Sequence, residues 1–299
     1  MFRGLYVALV TPFGPDGALN EEKLRELVRR HISAGTDGLV PCGTTGENPA
    51  LYGWDEHFRV IEIVLEEARG KLKIIGGAGT NSTTRSVMNV KRLGEMGADG
   101  ALMITPYYNK PTQDGLVAHF RAVADASPVP LVLYNVPSRT GVNMLPETVA
   151  RLADHERIVC VKEASGSLVQ ASWIKRLCGD ALTILSGEDP VIYPTMCVGG
   201  DGVISVLGNV VPEDVRSMIQ AFRNGDHQKA REWHLRLLPL AQALFLETNP
   251  MPVKEAMNLL GWEVGSPRLP LVRMKPENVE RLRQAMVAYG LLQPAAVSS

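Results

Sequence analysis

Short apolar runs alternate with longer amphipathic stretches along most of this chain. Strand-like runs stand at Tyr6–Val10, Gly38–Pro41, Lys73–Ala78, Ala101–Thr105 and Pro130–Tyr134, then at Ile158–Lys162, Leu182–Ser186 and Gly202–Val206. All are short and rich in aliphatic or β-branched residues. Helical periodicity fills most of the intervals: Glu21–Ala34 behind a capping Asn20, Asp55–Arg69, Ser82–Met96, Gln113–Asp125, Pro146–Asp154 and Leu168–Leu177. About eight such units in ~210 residues predict an α/β fold, a closed (β/α)8 TIM barrel. An open doubly wound sheet is the alternative, but no G-x-G-x-x-G follows the first strand. After Pro212 the pattern is wholly helical, over Glu213–Arg223, Asp226–Leu246, Val253–Leu260 and Glu277–Ala288. The predicted division is a catalytic barrel over 1–225 and a C-terminal helical region over 226–299, packed in one globular body. Gln293–Ser299 reads as a frayed tail.

Composition narrows the partners. Apolar residues make up 45% of the 299 and charged ones 21%, as in a globular chain with a large core, and the net charge is −1. That balance points to no nucleic-acid partner and no membrane surface. No apolar run approaches the ~20 residues of a bilayer span. Met1-Phe2-Arg3-Gly4 opens directly into a strand, without a signal-like segment. Cys42, Cys160, Cys178 and Cys197 are scattered, with no C-x-x-C pair, so neither a disulfide framework nor a metal site is predicted. A reducing cytoplasm is the expected compartment.

The chemistry centres on Ile158-Val159-Cys160-Val161-Lys162-Glu163-Ala164. Lys162 ends a buried strand, where desolvation should push its pKa toward neutrality and make the amine a Schiff-base nucleophile. The plainer alternative is a lysine snorkelling into water. In a barrel, catalytic groups sit at the C-terminal ends of strands. Lys73 begins its strand and so belongs to the structural face. Tyr134 ends the strand before that of Lys162, ~5 Å away across the sheet, as an acid/base or as a core tyrosine. Gly43-Thr44-Thr45-Gly46-Glu47 after the second strand reads as a small anion cradle or a capped turn. Arg139 stands over the barrel mouth as a carboxylate grip or a solvated cation. Thr105-Pro106-Tyr107-Tyr108-Asn109 brings paired tyrosines to the same face.

These residues carry a family resemblance. From Val10-Thr11-Pro12 to Asn249-Pro250-Met251-Pro252-Val253-Lys254, the chain resembles the dihydrodipicolinate (4-hydroxy-tetrahydrodipicolinate) synthase family. That family belongs to the pyruvate-dependent class I aldolases, with N-acetylneuraminate lyase. Thr105–Pro111 and Tyr134–Gly141 are its more specific stretches. The resemblance implies that pyruvate condenses with Lys162, its carboxylate resting on Thr44 and Thr45. The enamine then attacks L-aspartate 4-semialdehyde, on the diaminopimelate route to L-lysine, with neither metal nor organic cofactor. Tyr134, Thr44 and Tyr108 would form a hydroxyl relay, and Arg139 would hold the semialdehyde carboxylate. Gly187 and Ile204 would line the pyruvate pocket. Tyr108 would cross from a neighbouring subunit of a homotetramer built as a dimer of dimers. The family pattern also implies an L-lysine effector cleft at His57, Asn81 and Tyr107. There Arg85 stands where the pattern has a glutamate, and Pro49 replaces a smaller residue. Feeble lysine inhibition is therefore expected. A sister aldolase acting on a sugar acid or other 2-keto acid, or a catalytically silent binding protein, remains the alternative.

Overall fold

The computed structural model describes residues 1–294, so the tail expected over Gln293–Ser299 lies almost wholly outside them. Eight parallel strands pair in chain order: β1 (Gly4–Ala8), β2 (Gly38–Val40), β3 (Lys73–Gly77), β4 (Gly100–Ile104), β5 (Leu131–Asn135), β6 (Ile158–Glu163), β7 (Thr183–Ser186) and β8 (Gly202–Ser205). β8 pairs back onto β1, so the sheet closes and the open-sheet alternative is overturned. β1 begins and ends two residues earlier than expected. Leu9 N still reaches Val40 O, but Val10 N is taken by the Asn209 side chain, which ends the ladder there. Two further helices, Pro137–Thr140 and Ile192–Cys197, are too short to show a helical period in sequence.

Alternation along the strands divides the apolar residues between two cores. Tyr6, Val40, Ile75, Val132, Leu185 and Ile204 pack inside the barrel. Leu5, Leu39, Ile74, Leu131 and Leu133 face outward onto the helices. β6 departs from strict alternation. Leu131 pairs with Ile158 but Val132 pairs with Cys160, so Val159 is an extra residue in β6, a β-bulge. Ile158 thus joins the outer core, while Cys160 and Ala164 join the inner one and Lys162, between them, points inward. Without that one-residue shift, the phase set by Ile158 would turn Lys162 to the outer face.

The C-terminal helices Pro212–Arg223, His227–Ala243, Met251–Leu259 and Pro276–Tyr289 share the outer core through Met218, Leu240, Met257 and Leu282. A buried ion pair, Lys254 Nζ to Glu47 Oε1 at 2.7 Å, fastens the Met251–Leu259 helix to the loop after β2. This contact brings the start of that helix, with Asn249 just before it, to the loop that carries Thr45.

Candidate active site

Lys162 and Tyr134 face each other in register at the ends of β6 and β5. Lys162 is 6% exposed, with Nζ 4.2 Å from the centroid of the Tyr134 ring. A cation over an aromatic face is attracted by the ring quadrupole, which offsets part of the cost of burial. Gly187, just past β7, makes room for the lysine stem. A Cβ there would stand 3.1 Å from Lys162 Cε and 2.6 Å from Ala164 Cβ. Ile204 on β8 is buried in the barrel interior. Lys73, at the other end of the barrel, pairs with Asp99 at 2.6 Å.

The loops add polar groups above this pair. Thr44, Tyr134 and Arg139 line one cavity of about 370 Å³. Thr45 is buried beside them, and its Oγ1 accepts from Asn249 Nδ2 at 3.0 Å. Arg139 rides on the short helix Pro137–Thr140, and its Nη2 donates to the main-chain oxygen of Asn249 at 3.3 Å. Tyr108 is not brought to Lys162 by this chain. It is 88% exposed and held at φ 72°, a left-handed conformation that a bulky residue rarely adopts.

The same cavity runs on to Pro49, Trp54, Asn81, Arg85 and Tyr107. The expected substrate side and the expected effector side therefore share one continuous space. His57 is not on its wall. The imidazole is buried, with Nδ1 bonded to Asn48 Oδ1 and Nε2 to Gly77 O, both at 2.8 Å, and burial lowers its pKa to about 4. With both nitrogens taken, His57 props the loop after β2 and offers no free group to a ligand. A larger cleft, about 1060 Å³, lies between the loop after β1 and the C-terminal helices. Two of its cations, Lys254 and Arg268, are consumed by Glu47 and Glu56.

Three buried groups near the site were not legible in the sequence. Asp189 accepts from Ser205 Oγ and from the backbone N–H groups of Val206 and Leu207, which fixes the loop after β8. Burial raises its pKa; those hydrogen bonds and then the Lys162 charge oppose the rise. Glu163, next to the lysine, is bonded by Asn135, Gln170 and the Ser165 N–H, and burial likewise raises its carboxyl. Asn249 stands in Asn249-Pro250-Met251-Pro252-Val253-Lys254, a stretch visible as a motif but without a local reason for its place in the site.

A closed parallel barrel with a buried lysine at one strand end, a tyrosine against its amine and hydroxyls above it defines a class I, Schiff-base-forming lyase. The model of the dihydrodipicolinate synthetase family matches residues 1–289, and the chain belongs to that family. The 4-hydroxy-tetrahydrodipicolinate synthase of Geotalea uraniireducens (strain Rf4) is 52% identical over 292 residues, covering 98% of this chain and 100% of that protein. The crystal structure of dihydrodipicolinate synthase from Aquifex aeolicus superposes with a TM-score of 0.95 at 44% identity, covering 98% of this chain and 100% of that one. The chloride-inhibited synthase of Acinetobacter baumannii, complexed with pyruvate, gives 0.95 at 38% identity over the same shares of each chain.

Proposed function

We propose that this chain condenses pyruvate with L-aspartate 4-semialdehyde through a Schiff base on Lys162. The observation that carries the reading is Lys162 itself, buried at a strand end with its amine 4.2 Å from the Tyr134 ring centroid. The lysine amine attacks the pyruvate ketone and water leaves, giving an iminium. Loss of a methyl proton yields the enamine, with the iminium nitrogen as electron sink. The enamine carbon bonds to the aldehyde carbon, and attack by the semialdehyde's own amine on the iminium releases the ring product and frees Lys162.

Thr44 and Thr45 hold the pyruvate carboxylate, and Arg139, on the same cavity as Tyr134, takes the carboxylate of the semialdehyde. Tyr134, Thr44 and Tyr108 pass protons between the amine and solvent. Tyr108 serves that relay from a neighbouring subunit. Its exposure and strained φ in the single chain support a tyrosine shaped by a partner. A homotetramer is the assembly of this reading. No helix among the described residues is long and apolar enough to cross a membrane. Four free thiols support a reducing, cytoplasmic setting.

The cavity wall at Asn81, Arg85 and Tyr107 is the counterpart of the lysine cleft in this reading. A guanidinium there repels the ammonium of L-lysine where a glutamate would attract it. Inhibition by L-lysine is therefore expected to be feeble, with half-maximal effect above ~1 mM, and Arg85→Glu should lower that concentration. Potent inhibition of the unmodified enzyme would contradict this part alone.

A coupled assay with pyruvate and a panel of aldehydes tests the whole reading. Turnover with L-aspartate 4-semialdehyde, and little with sugar aldehydes, is the expected result. Preference for a polyol aldehyde would move the chain to the sister aldolases.

A further inference from the structure

Asn249 touches both of the groups assigned to the substrates. Its Nδ2 donates to Thr45 Oγ1 at 3.0 Å, and its main-chain oxygen accepts from Arg139 Nη2 at 3.3 Å. The residue is buried, and its Oδ1 has no hydrogen-bond partner among the described residues. An amide can turn to present either end, so the end shown to Thr45 decides what that hydroxyl does.

A hydroxyl that accepts an N–H has one lone pair occupied and its own hydrogen left to donate elsewhere. Thr45 is thereby committed as a donor, which is what a carboxylate ligand requires. An acceptor at position 249 would instead draw the Thr45 hydrogen toward itself and turn a lone pair toward the ligand. The choice between these two states rests on one side chain that lies outside the barrel sequence.

The placement of that side chain is heavily enforced. Glu47, two residues beyond Thr45, meets Lys254, five residues beyond Asn249, at 2.7 Å with side-chain exposures of 0% and 1%. Lys254 Nζ also donates to Thr11 O and Ser266 O, and the second Glu47 oxygen accepts from Arg268 N. Arg268 in turn pairs with Glu56. The loop carrying Thr45 and the segment carrying Asn249 are thus bolted at a fixed register. A buried ion pair costs desolvation, and such a pair is well suited to specifying geometry.

We infer that Asn249 is a positioning residue that polarises Thr45 as a donor to the pyruvate carboxylate, while its backbone separately aims Arg139. The inference rests on the assignment of pyruvate to Thr45 made above. It separates the two substrates, because side-chain replacement removes the first contact and leaves the main-chain contact to Arg139.

The experiment is borohydride trapping with pyruvate alone, read as the half-saturating pyruvate concentration, alongside steady-state KM for each substrate. The full-length enzyme is compared with Asn249→Ala, Asn249→Asp and Thr45→Val. Asn249→Ala should raise the pyruvate value about 10-fold, the loss of one hydrogen bond to a charged ligand system. Asn249→Asp is nearly isosteric but offers only acceptors, so it should raise the value further, about 100-fold. The semialdehyde KM and kcat should each stay within about 3-fold. In a Thr45→Val background the Asn249→Ala effect should vanish, since the contact it removes is already gone. A purely structural role would lower the thermal midpoint of all the Asn249 variants and move both KM values together. That result, or Asn249→Asp binding pyruvate as well as the unmodified enzyme, would overturn the inference. An unmodified enzyme that traps no pyruvate would instead overturn the assignment on which it rests.

Discussion

Lys162 and Lys254 are both buried, yet the structure treats their amines in opposite ways. Lys254 Nζ is surrounded by acceptors: Glu47 at 2.7 Å, Thr11 O at 3.0 Å and Ser266 O at 3.2 Å. Burial lowers its pKa, and the Glu47 carboxylate opposes that shift. An amine so enclosed is tied to its three acceptors and is not free to meet a carbonyl. Lys162 Nζ lies against the face of Tyr134, with Gly187 leaving space beside its stem. A π-face holds the nitrogen weakly and without direction, so it stays free to meet a carbonyl. The lesson is that burial alone does not make a lysine reactive; what surrounds the nitrogen does.

The largest effect should come from the unpaired amine. Lys162→Ala is expected to lower kcat by ~10⁴-fold or more while leaving thermal stability within a few degrees. Residual activity within tenfold of the parent would break the comparison outright. The paired amine should show the reverse. Lys254→Met strands a buried Glu47 carboxylate and should cost ~3–5 kcal/mol in urea unfolding, with pyruvate trapping intact in the folded fraction. Adding Glu47→Gln should restore much of that loss, and a double variant no better than the single one would count against the pair.

Next comes the aromatic face. Tyr134→Phe keeps the ring over Lys162 but removes the hydroxyl, so kcat should fall about 10²-fold with little change in pyruvate half-saturation. Equal losses in binding and turnover would mean that the hydroxyl mainly positions substrate.

A buried base with neither kind of partner completes the series. Among the described residues both ring nitrogens of His31 lack hydrogen bonds, and burial pushes its pKa from 6.5 down to about 3. The folded state therefore binds fewer protons than the unfolded one between those values. The resulting stability is present above pH 6.5 and is lost as pH falls toward 3. Between pH 7 and pH 5 this group should remove about 2 kcal/mol, and His31→Leu should flatten that part of the slope. His57 and His119, both lowered to about 4 by burial, leave a remainder in the variant. An unchanged slope in urea unfolding at the two pH values would rule out His31 as a source.

Much of this was legible in the sequence, because a barrel repeats one local pattern. Alternating strand and helix periods announced the closure, and the strand-end rule puts Lys162, Tyr134 and the Thr44–Thr45 loop on one face. Local pattern could not show the bulge at Val159, since Ile158-Val159-Cys160-Val161 is apolar whichever way it is phased. Nor could it show that Asn249 would meet Thr45, a contact across 204 residues fixed by a buried ion pair rather than by period. The enclosure of His57 was equally hidden, because both of its partners come from other segments, Asn48 and Gly77.

The most direct test of the contrast between the two lysines is peptide mapping after borohydride reduction in the presence of pyruvate. A single reduced adduct is expected on the peptide containing Lys162, undiminished in the folded fraction of Lys254→Met and absent from Lys162→Ala. An adduct on Lys254, or one that persists in Lys162→Ala, would contradict it.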